Sequence, residues 1–294
     1  MKVGFVGTGN MGGPMCRNII RNTDHQVTVF DINPAAMEPN LALGATAGES
    51  VAELSAYSDV IFTSLPMPHH VEEVTLGRAG IARSARPGSV FIDLSTNSPA
   101  TARRVHHGMT ERGIAMLEAP VSGGVPRAID GTIVIMVGGD QAVFEAQLPL
   151  LKSFSREVIH VGPIGMGSVA KLCNNMLAFC NAAAAAEALM LGAMAGIDLH
   201  KLYDVICNAS GNSDQFRTLG QKAFARNFTP GFALDLAHKD LRLALEMADE
   251  AGLPGMIAPQ VLNLMRLARA SGWGADDSSS VLRVYESVMG KAAL

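Results

Sequence analysis

The run Lys2-Val3-Gly4-Phe5-Val6-Gly7-Thr8-Gly9-Asn10-Met11-Gly12 decides how the first half of the chain folds. It opens on a short, mostly apolar stretch, as expected of a strand buried on both faces. Gly7, Gly9 and Gly12 then fall in the pattern G-x-G-x-x-G, and a helical stretch follows. In that setting each glycine has a task. Gly7 permits a tight turn, Gly9 lets backbone approach a pyrophosphate, and Gly12 lets helix and strand pack closely. The helix start offers its N–H groups and the positive end of its dipole to the phosphates. A second apolar run, residues 27–30, ends at Asp31, at the distance where an acid accepts hydrogen bonds from ribose hydroxyls. Asp31 would repel a 2′-phosphate, and Ile32-Asn33-Pro34 offers no arginine to receive one. NAD is therefore the expected cofactor and NADP the less favoured one. Its expected contacts here are Gly7, Gly9, Asn10, Met11, Gly12, Asp31 and Asn33.

Working outward, apolar runs recur at 60–63, 90–93, 115–118, 133–137 and 158–160, mostly separated by helical or polar segments. That order predicts a mostly parallel, doubly wound α/β sheet with helices on both faces. After about residue 163 the strand pattern stops. Helical stretches follow at 168–196, 199–209, 213–226, 234–251, 255–271 and 279–289, punctuated by Gly, Asn or Pro. The expected division is a Rossmann domain over 1–162 and an all-α domain over 163–294, with Gly162-Pro163 as the joint.

Composition bounds the remaining possibilities. The chain has 294 residues, 48% apolar and 17% charged, so it carries enough apolar side chains for a sizeable core. A net charge of −4 without blocks of like charge gives no basic surface for nucleic acid. Cys16, Cys173, Cys180 and Cys207 show neither C-x-x-C pairing nor metal-ligand spacing, which fits a reducing cytosol. The chain opens in a strand pattern rather than a signal peptide. Its most apolar window, 178–195, is alanine-rich and holds Asn181 and Glu187, so it reads as a helix buried in protein and not as a membrane span. The histidine pairs His69-His70 and His106-His107 are adjacent and cannot share a helix face as metal ligands; no metal is expected.

In open parallel sheets, ligands bind beyond the carboxyl ends of the strands. Three such ends carry unusual residues. Ser64-Leu65-Pro66-Met67-Pro68 forms a stiff loop suited to lie against a nucleotide. In Asp93-Leu-Ser-Thr96-Asn97-Ser98-Pro99, Thr96 or Asn97 is placed to bond a nicotinamide or its ribose, while Ser98 caps the next helix. In Glu118-Ala-Pro-Val-Ser122-Gly123-Gly124, a hydroxyl and unobstructed N–H groups make a small anion site for a substrate carboxylate. Further on, Gly165-Met-Gly-Ser168-Val-Ala-Lys171-Leu-Cys-Asn-Asn175 reads as a loop passing into a long helix, with Ser168 as its cap. Lys171 and Asn175 are four residues apart and share one face of that helix.

Together these motifs, with Lys239-Asp240-Leu241, resemble the β-hydroxyacid dehydrogenase family, which includes 3-hydroxyisobutyrate dehydrogenase and tartronate semialdehyde reductase. They come in the family order and span nearly the whole chain. The resemblance implies one long helix joining the Rossmann domain to the all-α domain, an active site in the cleft between them, and a homodimer or homotetramer. It implies that Lys171 is the acid/base group, that Asn175 positions the substrate, and that Ser122, Gly123 and Gly124 hold its carboxylate. Leu65, Pro66, Thr96 and Lys239 line the cofactor. The implied reaction is NAD-dependent oxidation of a small 3-hydroxy acid to its semialdehyde, or the reverse, with 3-hydroxyisobutyrate as the leading substrate. Tartronate semialdehyde, L-serine and 2-(hydroxymethyl)glutarate are the alternatives within the family. A catalytically silent NAD-binding protein is the alternative outside that chemistry. Glu118, where the family often has Asp, and His238, where an apolar residue is commoner, are departures expected to lie outside the chemistry. Whether Arg217 and His238 face the cleft stays open at this point.

Overall fold

The computed structural model describes residues 1–293. The chain divides into two compact units, Met1–Lys171 and Leu172–Leu294. The first contains the strands β1 (Lys2–Val6), β2 (Gln26–Phe30), β3 (Thr46–Ala47), β4 (Val60–Thr63), β5 (Val90–Asp93), β6 (Ala115–Glu118), β7 (Val121–Ser122), β8 (Ile133–Gly139) and β9 (Ser155–Gly162). Its helices are α1 (Gly12–Asn22), α2 (Pro34–Leu41), α3 (Val51–Tyr57), α4 (Pro68–Leu76), α5 (Ile81–Ser84), α6 (Pro99–Thr110), α7 (Gly124–Asp130) and α8 (Gln141–Lys152). The division between the units falls in the second turn of α9 (Met166–Ala195).

The strands form one sheet in the order β3-β2-β1-β4-β5-β6-β8-β7, with β9 paired to β8. From β3 to β6 every pairing is parallel. That is the doubly wound order, and the chain reverses direction across the sheet between β1 and β4, beside the glycine loop. Beyond β6 the pairing turns antiparallel at β8 and β7, while β9 runs parallel to β8. Strands β3 and β7 have two residues each, too short to show a period in the sequence.

Alternation of side chains builds two cores on opposite faces of this sheet. Phe5, Phe62, Ile92 and Leu117 enter one, with Met15 and Ile19 of α1 and Phe144 and Leu151 of α8. Their chain neighbours Val6, Ile61, Phe91 and Met116 enter the other, with Leu54 of α3, Val71 of α4, Ile81 of α5 and Met109 of α6. Helices on both faces are thus a direct result of strands whose apolar side chains point to both faces.

The second unit is helical: the rest of α9, then α10 (Leu199–Cys207), α11 (Asp214–Phe224), α12 (Leu234–Glu250), α13 (Ala258–Ala270) and α14 (Val281–Met289). Phe179 and Leu189 of α9 share its core with Phe216, Leu241, Met265 and Leu282. Asp198 caps α10 through His200 N and Lys201 N, and Ser213 caps α11 through Phe216 N. Helix α9 is long and apolar enough to cross a membrane by length and composition alone, and half of its most apolar window is buried inside the protein. Its outer side exposes Cys173, Leu177, Ala184, Leu191 and Met194, an apolar stripe interrupted by Glu187.

Phe62 is fully buried, stacked on Phe5 at 5.6 Å and edge-on to Phe154 at 5.9 Å. Phe62→Ala is expected to lower the unfolding free energy by about 3–5 kcal/mol, because it removes transfer energy and leaves a cavity. Urea unfolding followed by circular dichroism checks this; an unchanged midpoint would contradict the packing.

Candidate active site

Two of the three glycines in the first loop are required by packing. Gly7 has φ +90°, and a Cβ on it would lie 2.4 Å from Ser64 O. A Cβ on Gly12 would lie 1.9 Å from Gly7 O, so helix α1 and the turn meet backbone to backbone. Gly9 differs: it is exposed, and a Cβ there would meet nothing within 4 Å. Packing does not demand a glycine at that position, whereas backbone approach by a ligand does. Asn10 is also exposed, Met11 is half-buried, and no side chain caps the start of α1. Across the turn, Asp31 Oδ2 accepts from Thr8 N at 2.7 Å and Oδ1 accepts from Asn33 N at 2.9 Å. Asn33 in turn caps α2 through Ala35 N. An open backbone concavity at a helix start with an acid beside it fits a dinucleotide.

Asp93 ties the next two strand ends together. Its Oδ1 accepts from Thr63 Oγ1 at 2.7 Å and from Ser95 N at 3.0 Å, and its Oδ2 accepts from Asn97 Nδ2 at 2.6 Å. Ser95 Oγ then accepts from Leu65 N at 2.9 Å. The loop holding Leu65 and Pro66 is therefore fixed to the loop holding Thr96 through one buried acid. Of the two residues that the sequence left open, Asn97 is buried with its amide nitrogen committed to Asp93, while Thr96 is half-buried. Burial pushes the Asp93 carboxyl up from 3.8 to about 6; hydrogen bonds from Ser95 and Thr63 oppose the shift, and the neighbouring Glu118 charge adds to it.

Glu118 ends β6, in register with Asp93 of β5. Its carboxylate accepts from Gly165 N, from Gly167 N at 3.0 Å, and from Ser168 N at 3.2 Å and Ser168 Oγ at 2.5 Å. Two sequence expectations change here. Ser168 is not the cap: α9 starts at Met166, and the serine hydroxyl donates to Glu118. Glu118 does not stand apart from the site, because it satisfies the first turn of the helix that carries Lys171. Burial raises the Glu118 carboxyl above the usual range, against the pull of those four bonds. Past Glu118 the chain runs directly to Ser122, Gly123 and Gly124, all half-buried. Gly123 and Gly124 have φ +138° and +68°, backbone that a side chain disfavours. Lys171 itself is 6% exposed.

In the second unit, Asn175 Nδ2 donates to Asp240 Oδ2 at 2.6 Å, and Lys239 Nζ lies 2.9 Å from Asp240 Oδ1. All three are buried, so Asp240 draws together two residues that the sequence had assigned separately, to substrate and to cofactor. His238 turns toward α13: its Nδ1 lies 3.4 Å from Arg269 Nη1, which leaves it an acceptor. Burial, then the charges of Arg269, Arg266 and Arg242, hold its pKa below the usual histidine value. Arg217 is exposed, and its Nε donates to Asn212 Oδ1 at 3.1 Å. Asp93, Glu118 and Asp240 are the residues that sequence reasoning passed over. The available signal was an acid closing an apolar strand, twice, and an acid directly after a lysine on an amphipathic helix.

Known proteins resemble this chain over nearly its whole length. Residues 2–162 match the NAD binding domain of 6-phosphogluconate dehydrogenase, and residues 165–285 match the NAD-binding domain of NADP-dependent 3-hydroxyisobutyrate dehydrogenase. The chain is 38% identical to a 2-(hydroxymethyl)glutarate dehydrogenase of Eubacterium barkeri, covering 99% of this chain and 96% of the relative. It is 33% identical to an NAD-dependent L-serine dehydrogenase of Pseudomonas aeruginosa, covering 99% of each. A crystal structure of 3-hydroxyisobutyrate dehydrogenase from Salmonella typhimurium superposes with a TM-score of 0.88 at 34% identity, covering 97% of this chain and 99% of that one.

The Asp93 shift makes a stability prediction. A carboxyl held above its unfolded value favours the protonated folded state, so its contribution is full below about pH 4 and is lost as pH rises through about 6. A shift of about two pH units corresponds to roughly 3 kcal/mol. Asp93→Asn should remove most of that dependence, as read from unfolding free energies across pH 4 to 7; a parallel curve for the variant would refute the assignment.

Proposed function

The chain belongs to the β-hydroxyacid dehydrogenase family, and on that premise we propose that it oxidises a small 3-hydroxy acid to its semialdehyde, or runs the reverse reduction, with NAD as cofactor. One observation carries the reading. Lys171 is buried on the second turn of a helix whose start is bonded to Glu118, and Glu118 lies on the strand that leads into Ser122, Gly123 and Gly124. An amine and an anion-binding loop thus share one support, as a substrate with a carboxylate and a nearby hydroxyl requires.

In this reading Ser122 Oγ and the N–H groups of Gly123 and Gly124 hold the substrate carboxylate. Lys171 takes the hydroxyl proton during oxidation and returns a proton to the carbonyl oxygen during reduction. Asn175, one helical turn further along α9, orients the hydroxyl. When bound, NAD supplies the two-electron acceptor. The start of α1 faces its pyrophosphate, and Asp31 keeps acceptor capacity for the ribose beyond the bonds it makes to Thr8 and Asn33. Thr96, Leu65, Pro66 and Lys239 line the remaining cofactor surface. Exposed Arg217, engaged by Asn212, supports a substrate with a single carboxylate, of the 3-hydroxyisobutyrate kind. The likeness to a 2-(hydroxymethyl)glutarate dehydrogenase supports a dicarboxylate as the second reading.

The proposal extends to a homodimer or homotetramer, supported by the apolar stripe on α9, where Leu177 is 62% exposed and Leu191 is 70% exposed. It also extends to a reducing, cytosolic compartment, supported by four cysteines that are all free thiols.

A panel of 3-hydroxy acids and their semialdehydes, assayed with NAD and NADP, tests the activity; silence across the panel would leave an NAD-binding protein without this chemistry. Lys171→Ala should lower kcat by about 10²–10⁴-fold while NAD still binds, and near-normal turnover in that variant would remove Lys171 from the mechanism. For the assembly, light scattering should give a multiple of the 30.9 kDa chain mass, falling for Leu177→Glu combined with Leu191→Glu; a monomeric wild type would refute it.

A further inference from the structure

We propose that Glu118 is the positioning residue of the acid/base amine: by bonding the first turn of α9, it sets the separation between Lys171 and the loop of Ser122, Gly123 and Gly124. The inference rests on the reading of Lys171 given above and adds what holds the lysine in place.

Four donors converge on this carboxylate: three are backbone N–H groups, which cannot accept in return, and the fourth is the Ser168 hydroxyl. The three N–H donors favour the carboxylate form, against the burial that raises its pKa. Its charge sits against the positive end of α9. Position follows from the same bonds. Gly165, Gly167 and Ser168 are consecutive parts of one turn, so their contacts fix both the height and the rotation of the helix. Ser168 and Lys171 are three residues apart and lie on one face, so a helix rotated about Ser168 carries the amine with it.

A second contact fixes the same point independently. Gly138 of β8 and Gly167 meet backbone to backbone beside Glu118. A Cβ on Gly138 would lie 2.5 Å from Glu118 Oε1 and 2.9 Å from Gly167 N. A Cβ on Gly167 would lie 2.8 Å from Met136 O and 3.1 Å from Gly138 N. No side chain fits between sheet and helix at this place, so the helix start has one seat. On the other side, Glu118 is the last residue of β6, and only Ala119, Pro120 and Val121 separate it from Ser122. Carboxylate loop and amine are therefore referred to the same residue. The spacing between them decides which hydroxyl of a hydroxy acid reaches the amine.

The test compares Glu118→Gln, Glu118→Asp and Gly167→Ala with wild type and with Lys171→Ala. Glu118→Gln keeps Oε1 as an acceptor for Gly165 and Gly167, and Ser168 Oγ is free to turn and accept from the new amide. It removes the charge and leaves one N–H, that of Ser168, facing a donor. Expected results are a kcat lowered by about 10- to 100-fold, an NAD dissociation constant near that of wild type, and an acid limb of the kcat profile moved to lower pH, since the negative charge bonded to the helix turn that precedes Lys171 is gone. Glu118→Asp, which keeps the charge, should restore the acid limb even where it does not restore the rate. Gly167→Ala should lower kcat without moving that limb. Unchanged kcat in Glu118→Gln, with Lys171→Ala inactive, would overturn the positioning role and leave the Lys171 assignment standing. Activity retained in Lys171→Ala would overturn both. A kcat loss that active-site titration traces wholly to unfolded protein, with an unmoved pH profile, would make Glu118 structural only.

Discussion

The bonds between the Glu118 carboxylate and the first turn of α9 are the constraint on which the ligand-facing edge of the first unit depends. A carboxylate loses much hydration when buried, and only charge-assisted hydrogen bonds of good geometry offset the loss. Here three of the four donors are backbone groups that a helix start would otherwise leave unsatisfied. Each side removes the other's penalty. The neighbouring strand repeats the device: Asp93, in register with Glu118, is satisfied by Thr63, Ser95 and Asn97. Burial raises the Asp93 carboxyl, and the like charge of Glu118 on the adjacent strand adds a smaller push in the same direction. Such local cost is usual where a fold has been shaped around a ligand.

The fold was largely legible because its signals are local. Strands with near-continuous apolar runs announce burial on both faces, and β4, β5 and β6 start and end where the residue pattern puts them. Helix starts were less evenly legible: α10 begins at Leu199 as read, whereas α11 begins one residue after Ser213, since a cap residue is not itself helical. The start of α9 was misassigned to Ser168 for a different reason. Its cap comes from a residue 50 positions earlier, and no window of sequence contains both partners.

The same limit explains which residues of the candidate site were visible. Gly7, Gly12 and Asp31 betray themselves by spacing. Glu118 and Asp240 do not, because their importance lies in partners distant in the chain: Ser168 for one, Asn175 for the other. A motif shows the residues that touch a ligand; the acids that hold those residues in place are identified by three-dimensional proximity. His238 illustrates the converse. Adjacent to Lys239 in sequence, it is rotated about 100° around the helix and meets the arginines of α13 instead.

Asp31 carries a consequence for protein engineering. Its carboxylate, which the proposed function assigns to the ribose side of the cofactor, holds the glycine turn through Thr8 N. Replacing Asp31 by a neutral or basic residue, the obvious route to accepting a 2′-phosphate, would release that turn at the same stroke. On that assignment, cofactor preference and loop rigidity meet in one side chain. A redesign that exchanges the preference must therefore supply a new acceptor for the Thr8 N–H, or the binding gained at the phosphate will be offset by disorder in the turn beneath it.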